Sequence, residues 1–117
     1  MAVKGKSMQI RVAGVPWKVH FTTSWHEVDP NSGERLFGVT LFNEHAIRIA
    51  GDAPIEKQHI TLLHEVLHAI THEYGITPLE KDGGGHDEKH IDLLAIAICE
   101  VLESMNMTLP HITIGGK

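Results

Sequence analysis

Apolar and polar positions alternate along the first quarter of the chain. Ile10 and Val12 flank Arg11, and Trp17, Val19 and Phe21 are interleaved with Lys18 and His20. A period of two turns one face of a strand toward a core and the other toward water. Gly14-Val15-Pro16 lies between the two runs and reads as their turn, so residues 9–22 predict a β-hairpin. Residues 1–8 read as a loose leader. Residues 23–35, with Asp29-Pro30 and Asn31-Ser32-Gly33, read as a loop. Two more short runs follow, Leu36–Phe42 and Ala46–Ala50, broken at Asn43-Glu44-His45. They predict a second hairpin. Four short strands make a small antiparallel sheet with one buried face.

At Gly51-Asp52-Ala53-Pro54 the period changes. Aspartate before a proline at the first helical turn is a start signal. Ile60, Leu63, Val66, Leu67 and Ile70 then recur at helical spacing, and Gly75 stands where a left-handed cap is expected. The helix predicted over 54–74 is about 30 Å long. Thr77–Gly85, with Pro78 and three glycines, is a flexible connection, with Gly83–Gly85 placed to gate a neighbouring site. A second helix is predicted from about Asp87 to Met105. Ile91, Leu94, Ala95, Ile98, Val101 and Leu102 form its stripe, and Leu93, Ile96 and Ala97 widen it nearly all round. Such a helix is expected to be deeply buried. The end, 110–117, is loose, with Ile112 and Ile114 spaced for a short extended segment. Strands first and helices second make one α+β domain over 1–117.

Composition narrows the function. The 117 residues suit one domain with its own core. Ten Lys and Arg against fifteen Asp and Glu give a net charge of −5, which argues against direct nucleic-acid binding and against a polybasic membrane contact. Apolar runs are far shorter than the ~20 residues of a membrane span, and the basic residues near the N-terminus are followed by no apolar stretch, so neither a span nor a secretory signal is expected. Cys99 is the only cysteine and sits in an apolar run. It reads as a small buried hydrophobe in a reducing, cytoplasmic setting, and it excludes a cysteine-rich zinc site.

Histidine is the outlier, with ten residues. Inside the first helix stands His64-Glu65-Val66-Leu67-His68, an H-E-x-x-H pattern. Its histidines lie one turn apart on one face, so both imidazoles reach one ion. Glu65 is about 100° away around the axis. It therefore lies beside a metal without ligating it, placed to take a proton from a water whose pKa zinc lowers toward ~7. A chain this rich in His and Glu yields the pattern by chance in some shuffles, so context decides. The motif falls within a segment that reads as helical, and its two variable positions are apolar. His72 lies too far along the axis to join His64 on one ion, and reads as a surface residue near the helix C-terminus.

A third ligand comes from the entry to the second helix, where His86, Asp87, Glu88, His90 and Asp92 cluster. Asp87 reads as the N-cap. Glu88 lies at the edge of the apolar stripe that packs on the motif helix. It is the first candidate, with Asp92, His90 and His86 as alternatives. His86 or His90 also stand where they can hydrogen-bond a developing oxyanion. His20, His45, His59 and His111 are scattered singly and read as ordinary structural residues. His26, beside Trp25, borders a cleft in the most chemical of its readings.

Residues 36–104, and above all LFGVTLFNEHAIRIAGDAPIEKQHITLLHEVLHAITHEYG followed by DEKHIDLLAIAICEVLE, resemble the small zincin-like metallopeptidases of bacteria and their phages, of the ImmA/IrrE type. The shared features are a strand pair before the motif helix, the Thr-Leu-Leu-His-Glu core, and an acidic entry to a second apolar helix. The resemblance implies a minimal zincin-like fold with one Zn²⁺ per chain. His64, His68 and Glu88 would be its ligands, Glu65 the general base, and a peptide or protein the substrate. The family's second helix often continues as Glu-x-x-Ala-Asn; here it reads Glu88-Lys-His-Ile-Asp92-Leu-Leu-Ala95. The strand at 46–50, leading into the motif helix, is placed to bind an extended peptide by edge addition. The competing reading is a binding or regulatory module of the same shape that holds zinc and cleaves nothing.

Overall fold

The structure is a computed structural model that describes residues 5–80 and 85–113. Strand β1 (Gly5–Val12) pairs antiparallel with β2 (Val15–Thr22) through a two-residue turn. Ala13 and Gly14 hold that turn, both with positive φ (52° and 77°), the combination a tight type I′ hairpin demands. The turn therefore precedes Val15 and Pro16, which belong to β2. Residues 5–8 are part of β1, with Gly5 opposite Thr22, and are not a loose leader; residues 1–4 lie outside the described residues.

The stretch 23–35 is not wholly a loop. Short strands β3 (Glu27–Val28) and β4 (Arg35–Leu36) pair antiparallel across the Asp29–Glu34 turn. Arg35 ties this segment to the start of the motif helix by donating to Asp52 Oδ1 at 2.6 Å. Its guanidinium holds the Asp52 carboxyl below the ordinary range. Strand β5 (Gly38–Leu41) then turns through a single 3₁₀ turn, Phe42–Glu44, into β6 (Ala46–Ala50), the second hairpin that the sequence predicts.

The sheet order is β1-β2-β6-β5, and β6 runs parallel to β2. The sheet is thus mixed, not antiparallel throughout. The crossover between β2 and β6 carries β3 to β5, so β6 enters beside β2 in the same direction. Its burial explains why it sits inside. Ala46, Ile47, Ile49 and Ala50 are all buried, so both faces of β6 are covered. Strand 46–50 consequently has no free edge to offer a peptide. Within this sheet the edges belong to β1 and β5.

Helix α1 (Ile55–Tyr74) ends at Gly75, which caps it in the left-handed conformation (φ 64°) and donates to Thr71 O at 2.9 Å. Helix α2 (Glu88–Ser104) starts from Asp87, whose side chain accepts from His90 N at 3.2 Å. Trp17, Val19, Phe21, Ile47 and Ile49 from the sheet meet Leu62 and Ala69 of α1 in the core. The architecture is α+β, with two main helices and a four-stranded sheet. Among the described residues no helix is long and apolar enough to cross a membrane.

Two expectations about the second half change. The end of the chain is docked up to Thr113: Ile112 is buried in the core cluster. Its backbone is gripped by the buried Gln58 side chain, which donates to Ile112 O and accepts from Ile112 N, each at 3.0 Å. Gly51 lies beneath it because any Cβ there would collide with the Ile112 side chain. Residues 114–117, with Ile114, lie outside the described residues. Helix α2, in turn, is not deeply buried. Only Ile91, Ala95 and Cys99 are covered, as expected for Cys99, whereas Leu93, Leu94, Ile96 and Val101 are exposed.

Candidate metal centre

Helices α1 and α2 lie against each other, which brings the first turns of α2 to the middle of α1. His64 and His68 project from α1 and Glu88 from the first residue of α2. His64 Nε2 is 3.0 Å from Glu88 Oε1, His68 Nε2 is 3.1 Å from the same oxygen, and the two Nε2 atoms are 3.3 Å apart. Ligands held at ~2.0–2.1 Å around a tetrahedral ion are about 3.3 Å from one another. The three donor atoms therefore form a triangle of the size that one small divalent ion would need. Two imidazoles and one carboxylate are also a donor set that zinc accepts. The Glu88 carboxylate, hydrogen-bonded to both imidazoles, is held well below the usual range, so it stays ionised. Its hydrogen bond raises the pKa of His64.

The outer nitrogens are occupied as well. His64 Nδ1 is 3.3 Å from Asp92 Oδ1. His68 Nδ1 is 2.8 Å from His86 Nδ1, and the two rings stack with centroids 5.0 Å apart. An imidazole that gives Nε2 to a metal carries its proton on Nδ1 and donates it outward. Asp92 and His86 would accept those two protons. They thus stand behind the donor triangle, not in it. Burial, chiefly, and the neighbouring His68 push the His86 pKa down, which suits an acceptor. His90 is drawn away to Asp87, 2.6 Å from its Oδ2, and is not among the clustered donors.

Glu65 lies beside this triangle, turned toward β5. Its side chain is buried, and Oε1 accepts from Thr40 Oγ1 on β5 at 2.6 Å. Burial raises its pKa, and the Thr40 hydrogen bond opposes that rise. Gly38, two residues earlier on the same strand face, makes the room. A Cβ at this position would lie 2.5 Å from Thr61 Cγ2 and 3.1 Å from Glu65 Oε2. Glycine is required by the close approach of helix and strand. Neither Gly38 nor Thr40 is marked by the sequence as functional. The only available signal is that both fall on one face of a strand that leads into the motif helix.

His64, Glu65, His68 and Glu88 line one open cleft of about 460 Å³, whose opposite wall is Leu36, Gly38, Val39 and Thr40. A second hollow of about 190 Å³ shares Leu36, Gly38, His64 and Glu65 and continues toward Arg35, Lys57 and Asp92. Together they follow β5. His72 is exposed near the end of α1, its ring tilted against Phe42 with centroids 4.8 Å apart, and is not among the clustered donors. His26 is exposed and lies 3.7 Å from Asp52, lining neither hollow. Gly83 and Gly84 of the supposed gate lie outside the described residues.

His59 and His111, read from sequence as unrelated, are partners 52 residues apart: Nε2 of the first is 2.9 Å from Nδ1 of the second. This contact holds the end of the chain against α1, as the Gln58 bonds do. No protein-family model, no curated protein and no solved structure matches this chain.

Proposed function

We propose that this chain is a zinc-dependent peptidase that cleaves an extended peptide lying between β5 and α1. The observation that supports it most is the pairing of a three-donor triangle with a buried carboxylate, Glu65, in the same cleft. His64, His68 and Glu88 would hold one zinc ion. The bound ion supplies Lewis-acid polarisation of the scissile carbonyl and lowers the pKa of water at the site.

Everything else falls to the protein. Asp92 and His86 fix the two imidazoles in the tautomer that leaves Nε2 free. Glu65 accepts a proton from the attacking water while the water oxygen bonds to the carbonyl carbon. It then delivers that proton to the amide nitrogen as the C–N bond breaks, leaving a carboxylic acid and an amine. Its raised pKa makes it a stronger base than an exposed carboxylate, which helps at neutral pH. Thr40 keeps the carboxylate aimed while it works. Among the described residues β5 pairs only with β6 in its sheet, so its other edge offers backbone groups to an added peptide strand. This replaces the strand at 46–50 as the place for edge addition. The zincin-like arrangement, the ImmA/IrrE-type kinship of residues 36–104 and a cytoplasmic setting in a bacterium or its phage belong to the same proposal.

The test is Glu65→Gln, which keeps size and hydrogen bonding but cannot carry the proton. Zinc-loaded wild-type protein is expected to cut an unfolded protein or a mixed peptide library, read by mass spectrometry. The variant should bind one zinc per chain and lose at least about 10²-fold in rate. A variant that cuts as fast as wild type, or zinc-loaded wild type that cuts nothing in the library, overturns the proposal. The second result would favour the zinc-holding binding module.

A further inference from the structure

Helix α2 is apolar on two sides. Ile91, Ala95 and Cys99 face α1 and are buried. Leu93, Leu94, Val101 and Met105 are 56%, 39%, 54% and 60% exposed, and Ala97 between them is exposed too. At 100° per residue these five positions cover an arc of about 120° on the outer flank. The arc contains no Asp, Glu, Lys or Arg; Lys89, Asp92, Glu100 and Glu103 all fall outside it. This flank is why the sequence pattern reads as a fully buried helix.

The flank also has a shape. Its N-terminal half opens into an apolar groove of about 510 Å³ formed by Pro78, Leu79, Leu93, Leu94 and Ala97 with His90 at the rim. Its C-terminal half is a ridge made by Val101 and Met105. Leu93, Ala97 and Val101 stand at i, i+4 and i+8, so Ala97 is the midpoint between groove and ridge.

We propose that this flank is a self-association surface and that its occupant is the same flank of a second copy. The arrangement is a symmetric dimer with the two α2 helices antiparallel and Ala97 at the twofold axis. A twofold through Ala97 places Val101 and Met105 of each copy in the groove of the other, so one operation fills both grooves. Alanine at the crossing point lets two helix axes approach to about 8 Å. The same operation sets Lys89 of one copy opposite Met105 of the other, two residues past Glu103 at the rim. The five side chains with Pro78 and Leu79 expose on the order of 500 Å² of apolar surface, in the upper part of the range for a monomer's largest patch, and the polar rim supplies the rest of the ~800 Å² per partner of a stable interface. A membrane surface is a poorer match, since among the described residues the flank carries no basic fringe beyond Lys89 and the net charge is −5.

The dimer proposal stands whether or not the chain is a peptidase. Sedimentation equilibrium of the full chain from micromolar to near-millimolar concentration is expected to give twice the chain mass. The variant Leu93→Glu/Val101→Glu should halve that mass while its far-UV circular dichroism stays native. Ala97→Cys, oxidised, should form a cross-linked dimer, because only a residue on the axis meets its own copy; Lys18→Cys, on β2, should not. Wild type that stays monomeric throughout overturns the proposal. So does a dimer that survives the double substitution, or one that cross-links through position 18 and not 97. Should the double variant fail to fold, the two cysteine variants decide alone.

Discussion

The hydroxyl of Thr40 donates to Glu65 Oε1 at 2.6 Å, joining an edge strand to the one buried carboxylate of the motif helix. The same hydroxyl is 3.2 Å from the Glu65 carbonyl oxygen. A buried carboxylate that loses its donor is left poorly solvated and poorly aimed. Thr40→Val, which keeps shape and removes the donor, is expected to lower kcat about 10-fold, the value of one hydrogen bond to a charged group. KM should change little, and Thr40→Ser should recover most of the loss. The kcat and KM of the three proteins on one peptide check this.

Asp92 is a ligand candidate by sequence, yet it faces the outer nitrogen of His64 and not the one that Glu88 shares. Removing such an outer partner typically weakens metal binding 10–100-fold without abolishing it. Asp92→Ala is therefore expected to raise the zinc Kd by roughly that factor in a competition titration. Glu88→Ala, which removes one corner of the triangle, should raise it much further. Equal effects would place both carboxylates in the same role.

The His59–His111 contact gives the fold a pH dependence. Burial, and then the proximity of His111, lower the His59 pKa from its ordinary 6.5, while a hydrogen bond to the Leu109 backbone, then Glu103 and Glu56, pull the other way. The unfolded chain thus takes up this proton at a higher pH than the native chain does. The contribution of His59 is complete above pH 6.5 and is lost as the pH falls below it. Wild-type Tm should drop between pH 7 and pH 5, and His59→Gln should flatten that part of the curve. Circular dichroism melts across this range provide the check.

Much of this architecture is written in local pattern. The i, i+3, i+4 spacing from Ile60 to Ile70 and the glycine at 75 place α1 within a residue of its ends, and Asp87 caps α2 as its type suggests. Both hairpins follow from alternation. What alternation leaves open is the neighbour: it tells which face of Ala46–Ala50 is apolar, not that β2 lies beside it in parallel. Ile112 looks like part of a loose tail because its anchor, Gln58, is 54 residues away. The outer flank of α2 reads as core because apolar residues meant for a protein surface and for an interior look alike in one sequence. At the candidate site, helical spacing brings His64 and His68 together, and the edge of the second stripe directs Glu88 to them. Thr40 and Gly38 carry no such mark, since their roles arise only when strand and helix meet.

The central claim is that His64, His68 and Glu88 hold one zinc ion with Glu65 beside it. The most direct measurement is an anomalous-difference map at the zinc absorption edge from crystals of the zinc-loaded chain. The account predicts a single strong peak about 2.0–2.1 Å from His64 Nε2, His68 Nε2 and Glu88 Oε1, with Glu65 outside the coordination shell. A peak on other residues, a peak ligated by Asp92 or His86 in place of Glu88, or no peak at this cluster would contradict it.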